Sequence, residues 1–146
     1  MEFITRIINA LVEVHPLHSM TVHFPIALTG TALLFLALAL WRRNETLERA
    51  AFYLIALSAI STIVAGVTGY RDNIVRFEGE APLVSAKIFL AISLFVLTVV
   101  ISISRWRDRE ILWRPSTMVL YLAGFAGSFL LAATLGFLGG VILYGF

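Results

Sequence analysis

The fold class this sequence predicts is an all-α polytopic membrane protein: four transmembrane helices plus an N-terminal amphipathic surface helix. Three observations carry that prediction. Of the 146 residues, 60% are hydrophobic and 14% charged, where soluble domains run to roughly half and a quarter. The apolar residues gather into four runs, each long enough to cross a hydrocarbon layer of ~30 Å. Between the runs lie only short loops, so residues 1–146 read as a single membrane domain with no polar segment long enough to bury a core of its own. The net charge of +2 does not point to nucleic acid, because the arginines sit in those short loops, where they set topology. Cysteine is absent, which excludes disulfides, thiolate metal sites and thiol catalysis.

Residues 2–14, EFITRIINALVEV, put Phe3, Ile4, Ile7, Ile8, Leu11 and Val12 on one helical face and Glu2, Thr5, Arg6, Asn9 and Glu13 elsewhere. The stretch is too short and polar to span, and it lacks the apolar core and cleavage site of a secretory signal. It is expected to lie in the membrane surface. The first span covers about residues 20–41; Pro25 near its start predicts a break or kink at Phe24. The second covers about 50–69 and the third about 87–104. The fourth, about 116–143, opens after Pro115, a residue suited to a first helical turn. The span interiors are expected to hold no Asp or Glu.

Orientation follows from the positive residues. Arg42, Arg43, Arg49, Arg105, Arg107, Arg109 and Arg114 flank one side of the spans, and Arg6, Arg71, Arg76 and Lys87 the other. The excess predicts a cytoplasmic location for Asn44 and Asp108 and an outer one for Glu2 and Phe146. Trp41, Trp106 and Trp113 sit near the cytoplasmic ends, where aromatic anchors belong. In span four Gly124, Ser128, Ala132, Gly136 and Gly140 recur every four residues. Span two carries Ser58, Thr62 and Gly66, with Ser61, Ala65 and Gly69 beside them. Such small-residue stripes let backbones approach closely, so they predict packing within the bundle, or a notch for a flat cofactor, a neighbouring membrane subunit or a second copy.

The stretch with chemical content is His15 to Leu28, HPLHSMTVHFPIAL, which holds all three histidines. In one straight helix His15 and His23 would stand ~12 Å apart along the axis, too far for one ion, but Pro16 and Pro25 argue against a straight segment. His15, His18, Met20 and His23 are ligand types suited to copper or haem iron. The predicted topology puts the histidines, Arg71, Asp72, Lys87 and Tyr144 at one membrane face. His23, next to the apolar run, is expected to be the least hydrated histidine, and contact with Asp72 would fix its tautomer or serve a proton relay, with Arg71 alongside. The alternative is that the histidines hydrogen-bond backbone released by the prolines and hold the rim of the bundle together.

This stretch closely resembles the signature, approximately HPLHPMxVHFPIAL, of a bacterial family of small four-span membrane proteins (domain of unknown function 2231). GVTGYRDN after span two and GFLGGVILYG at the end of span four extend the likeness over nearly the whole chain. Members fused to cytochrome c-like domains imply a membrane redox role, with haem b the leading cofactor and His15, His18 and His23 its candidate ligands. Two positions depart from the pattern. Ser19 stands where the family has proline, and Lys87 where many members carry a histidine, which removes a partner for a bis-histidine haem spanning two helices.

The expected function is an accessory or electron-transfer subunit of a larger redox assembly in the bacterial cytoplasmic membrane, both termini outside. The rival is a structural or assembly subunit without cofactor. A small proton or ion transporter is disfavoured by the scarcity of polar residues at the bilayer centre. No catalytic constellation is visible, so no enzyme activity is expected.

Overall fold

The computed structural model describes residues 2–9 and 17–144. They form α1 (Glu2–Asn9), α2 (Leu17–Thr21), α3 (His23–Arg42), α4 (Glu45–Phe77), α5 (Val84–Arg107) and α6 (Pro115–Tyr144). Four segments, residues 17–42 and the helices α4, α5 and α6, are long and apolar enough to cross a membrane. The molecule is an all-α, four-span membrane protein. α3 packs against α4 and α6, and α5 packs against the same two. Successive spans therefore run antiparallel around a closed ring of four.

α1 joins Arg6 to Glu2 one turn away at 2.7 Å and leaves Phe3, Ile4 and Ile7 exposed, an apolar face of the kind that lies in a membrane surface. Residues 10–16, with the rest of the expected surface helix and His15, lie outside the described residues.

The predicted break falls two residues earlier than Phe24. Val22 is a one-residue turn between α2 and α3, and Pro25 sits buried in the first turn of α3. A proline lacks the N–H that would bond the carbonyl four residues back. Here that carbonyl belongs to Thr21, the last residue of α2. The helix is thus interrupted immediately after the residue whose carbonyl loses its bond.

α4 is longer than its apolar run at both ends. Asn44 caps its start, accepting from the Thr46 and Leu47 amides at 2.8 and 3.1 Å. The far end continues past Gly69 through Arg71, Asp72 and Asn73 to Phe77, then stops on Glu78 (φ 52°) and Gly79 (φ 89°), the left-handed conformations that end helices. Asn73 ties down the turn beyond, donating to the Gly79 carbonyl at 3.2 Å and accepting from the Ala81 amide at 3.0 Å.

The inward face of α4 is Glu48, Ala51, Ile55, Ser58, Thr62, Ala65 and Asp72, all buried. Their alternating three- and four-residue steps are the seam of left-handed helix packing. The span interiors carry no Asp or Glu, as expected; the helix runs past the apolar span at both ends, and its seam begins and ends on a buried carboxylate. At 1.5 Å per residue, Glu48 and Asp72 stand about 36 Å apart along the axis, close to the thickness of a bilayer with its interfaces. The large side chains of the core, Leu36, Ile55, Leu112, Tyr121 and Phe125, cluster toward the Glu48 end. Toward the Asp72 end the buried positions are mostly small or hydroxyl-bearing, among them Thr29, Ala59, Thr62, Ala65 and Ala132.

The four-residue stripe of α6 does not form one packing face. The buried face of that helix is Tyr121, Phe125, Ser128 and Ala132. A helix repeats every 3.6 residues, so a stripe of period four turns by about 40° at each step. Accordingly, a Cβ at Gly124 would stand 3.0 Å from Ile101 on α5, and one at Gly136 would stand 2.6 Å from Ile26 on α3. Among the described residues, one at Gly140 meets nothing within 4 Å, and the same holds for Gly66 on α4.

Candidate functional site

The extension of α4 beyond its apolar run brings Asp72 under α2, where the histidine segment crosses. Asp72 is 5% exposed. One of its carboxylate oxygens accepts the His18 backbone N–H at 2.9 Å, and the other takes the Arg71 guanidinium at 3.3 Å. The His18 ring lies over α4 one turn earlier, its Nδ1 2.9 Å from the Ala65 carbonyl oxygen. A carbonyl only accepts, so Nδ1 carries the proton and donates. In the neutral ring the lone pair then resides on Nε2, for which the described residues supply no hydrogen-bond partner. Beside this pair the Thr21 and Thr68 hydroxyls meet at 2.7 Å. α2 is therefore fastened to α4 by a carboxylate, an imidazole and a hydroxyl pair in succession.

Gly69 is what lets the ring lie so close. A Cβ there would stand 2.9 Å from both Nδ1 and Cε1 of His18, inside any ordinary contact distance. The seam positions of α4 thus run Ala65, Gly69, Asp72 beneath the histidine: a carbonyl to orient it, a gap to admit it, and a carboxylate to hold its backbone. The charge of Lys87 on α5 also acts on the ring, opposed by that of Asp72.

The expected partner of Asp72 was His23; the structure replaces it with His18. His23 is exposed at the first position of α3, whereas His18 is half-buried against α4. The reason is the turn at Val22, which leaves α2 alone lying across the end of α4. Met20 is also exposed, and His15 lies outside the described residues. Among the described residues no three His, Asp or Glu side chains converge where a metal ion could sit. For haem, this donor set offers one ligating atom, the Nε2 of His18, and the described residues bring no second one to join it.

A second polar cluster occupies the other end of the bundle. Glu48, 1% exposed, receives Arg105 of α5 through both carboxylate oxygens, Nε to Oε1 and Nη2 to Oε2, the latter at 2.7 Å. The Tyr121 hydroxyl of α6 reaches the same carboxylate at 3.4 Å. Three helices thus meet on one side chain. Glu48 was not among the expected site residues, although one signal marks it: it falls three residues before Ala51 and seven before Ile55, in register with the buried seam.

No curated protein and no solved structure matches the chain at a significant level. A family described as predicted membrane proteins, DUF2231, matches residues 14–146, which takes in the histidine segment and all four spans. With HPLHSMTVHFPIAL at its head and this four-span bundle behind it, the chain belongs to that DUF2231 family of membrane proteins.

Proposed function

We propose that this membrane protein is an accessory subunit of a larger redox assembly in the bacterial cytoplasmic membrane, and that His18 is the residue it presents to a cofactor. The observation that carries the reading is the 2.9 Å contact of His18 Nδ1 with the Ala65 carbonyl. An imidazole whose Nδ1–H is held by a backbone carbonyl keeps Nε2 as a lone-pair donor of fixed orientation, which is how ligating histidines are commonly supported. When bound, haem would supply one-electron transfer; the chain's part is to hold the imidazole, with Asp72 and Gly69 setting its place. A further ligand would come from His15, from His23 or from a partner subunit.

The second reading is a structural subunit with no cofactor, in which His18 and Asp72 simply fasten α2 to the bundle. One observation favours it: the backbone N–H and one ring nitrogen of His18 are both committed to α4.

An absorbance spectrum of protein purified from native membranes, oxidised and then reduced, separates the two. A Soret band that disappears in His18→Ala and persists in His15→Ala supports the cofactor reading. No chromophore in the wild-type complex, together with lower thermal stability of His18→Ala, supports the structural one.

A further inference from the structure

At the Glu48 end a groove of about 510 Å³ opens between the start of α4 and the end of α5, lined by Arg49, Phe52, Tyr53, Arg105, Trp106 and Arg109. We infer that this groove binds the phosphate of an anionic membrane lipid, held between Arg49 and Arg109. The charge balance of the lining comes first. Arg105 is neutralised from behind by the buried Glu48 and its guanidinium lies over the Phe52 ring, 5.7 Å from its centroid. Arg49 and Arg109 pair with no carboxylate among the described residues, and the lining contains none. Two cationic forks therefore face one groove without an internal anion, and a guanidinium fork matches two oxygens of a phosphate.

The aromatic residues decide between a lipid-borne and a soluble phosphate. Tyr53 and Trp106 flank the groove at 62% and 77% exposure, and both lie on membrane-spanning helices, one near the start of α4 and the other at the last turn of α5. Large rings exposed at that depth sit among headgroups and glycerol. A basic pocket between transmembrane helices at that level is the arrangement that selects anionic headgroups. The ion pair in its floor gives the groove a fixed shape, since Glu48, Arg105 and Tyr121 tie α4, α5 and α6 together behind it.

The test uses the full chain in neutral phosphatidylcholine nanodiscs, titrated with phosphatidylglycerol and, separately, with inorganic phosphate, reading bound lipid by native mass spectrometry and the melting midpoint. Arg49→Gln/Arg109→Gln removes the forks and leaves the Glu48–Arg105 pair in place. Arg107→Gln removes an exposed charge at the same end that does not line the groove. Phosphatidylglycerol should bind the wild type and raise its midpoint; the double variant should bind about tenfold more weakly or worse, and Arg107→Gln should match wild type. Equal response to added phosphatidylcholine, or equal loss in Arg107→Gln and the double variant, would overturn the site in favour of a diffuse field. Saturation by inorganic phosphate at the concentrations where the lipid acts would overturn the lipid and leave a soluble anion. Should the double variant fail to fold, Arg49→Gln and Arg109→Gln singly take its place: each should bind phosphatidylglycerol more weakly than Arg107→Gln does, and equal binding in all three would overturn the site.

Discussion

Glu48 is the residue whose removal the fold would feel most. A carboxylate taken out of water depends on its partners, and Glu48 has one guanidinium fork and one phenol. Deleting one member of such a pair leaves an uncompensated buried charge, at a cost of about 3–5 kcal/mol, whereas replacing both members by apolar side chains of similar size is far milder. Arg105→Ala should therefore lower unfolding stability in micelles by about 3 kcal/mol, and Glu48→Leu/Arg105→Met should recover most of that loss. A double variant no more stable than the single one would show that the pair contributes through its geometry rather than through charge balance. At the Asp72 end the corresponding residue is Gly69. Gly69→Ala should displace the His18 ring and lower the melting midpoint, and in His18→Ala, which has no ring to meet, the same substitution should be nearly silent; equal losses in both backgrounds would contradict the packing of ring on glycine. At this scale the sequence was readable only as a set of candidates. The histidine segment stood out by its composition, but which histidine turns toward Asp72 depends on where the helix breaks. Pro25 acts on the carbonyl of Thr21, so the turn falls at Val22 and leaves His23, expected to be the least hydrated because it adjoins the apolar run, exposed at the start of α3.

At the scale of the helix, α6 shows why spacing in a sequence must be turned into angle before it predicts contact. Gly124, Ser128, Ala132, Gly136 and Gly140 look like one groove when written out, yet they wind from α5 round to α3 and then off the bundle. The two terminal glycines therefore differ. Gly136→Leu forces a side chain against Ile26, where a Cβ alone would already stand 2.6 Å away; overpacking of that kind costs about 1–3 kcal/mol, and the midpoint in micelles should fall accordingly. Gly140→Leu meets open space among the described residues and should leave the isolated bundle unchanged. If the two variants lose stability equally in micelles, the winding of the stripe is wrong. Helix ends were the other point of difficulty. The polar stretch YRDNIVRF reads as loop by composition, but Asp72 continues the seam of α4 inward, so the helix persists until Glu78 and Gly79 supply left-handed backbone. Hydropathy measures what lipid can solvate; helix length here is decided by what the bundle can bury.

At the scale of the whole molecule the two ends are built differently, and orientation in the membrane decides which compartment each faces. The four spans and their alternating order were evident in the sequence because each rests on a long apolar run, the strongest pattern such a chain carries. Their direction rests on a subtler asymmetry. Seven arginines lie at the Glu48 end against three arginines and a lysine flanking the other side, and positive residues near span ends favour the cytoplasm whether or not an acid lies nearby. Two of the seven, Arg105 and Arg114, are engaged by Glu48 and Asp108 in the folded bundle, but insertion is decided on the nascent helices, before those pairs exist. The prediction is that the Glu48 end is cytoplasmic and the His18 end external. Glu80 in the α4–α5 turn and Glu110 in the α5–α6 turn are exposed, and the chain has no cysteine of its own. Glu80→Cys should react with a membrane-impermeant maleimide on intact cells whose outer membrane has been opened, and Glu110→Cys only after the inner membrane is breached. The reverse pattern would put the arginine groove in the outer leaflet and turn the His18 imidazole toward the cytoplasm, so that any electron partner of His18 would have to be sought on that side.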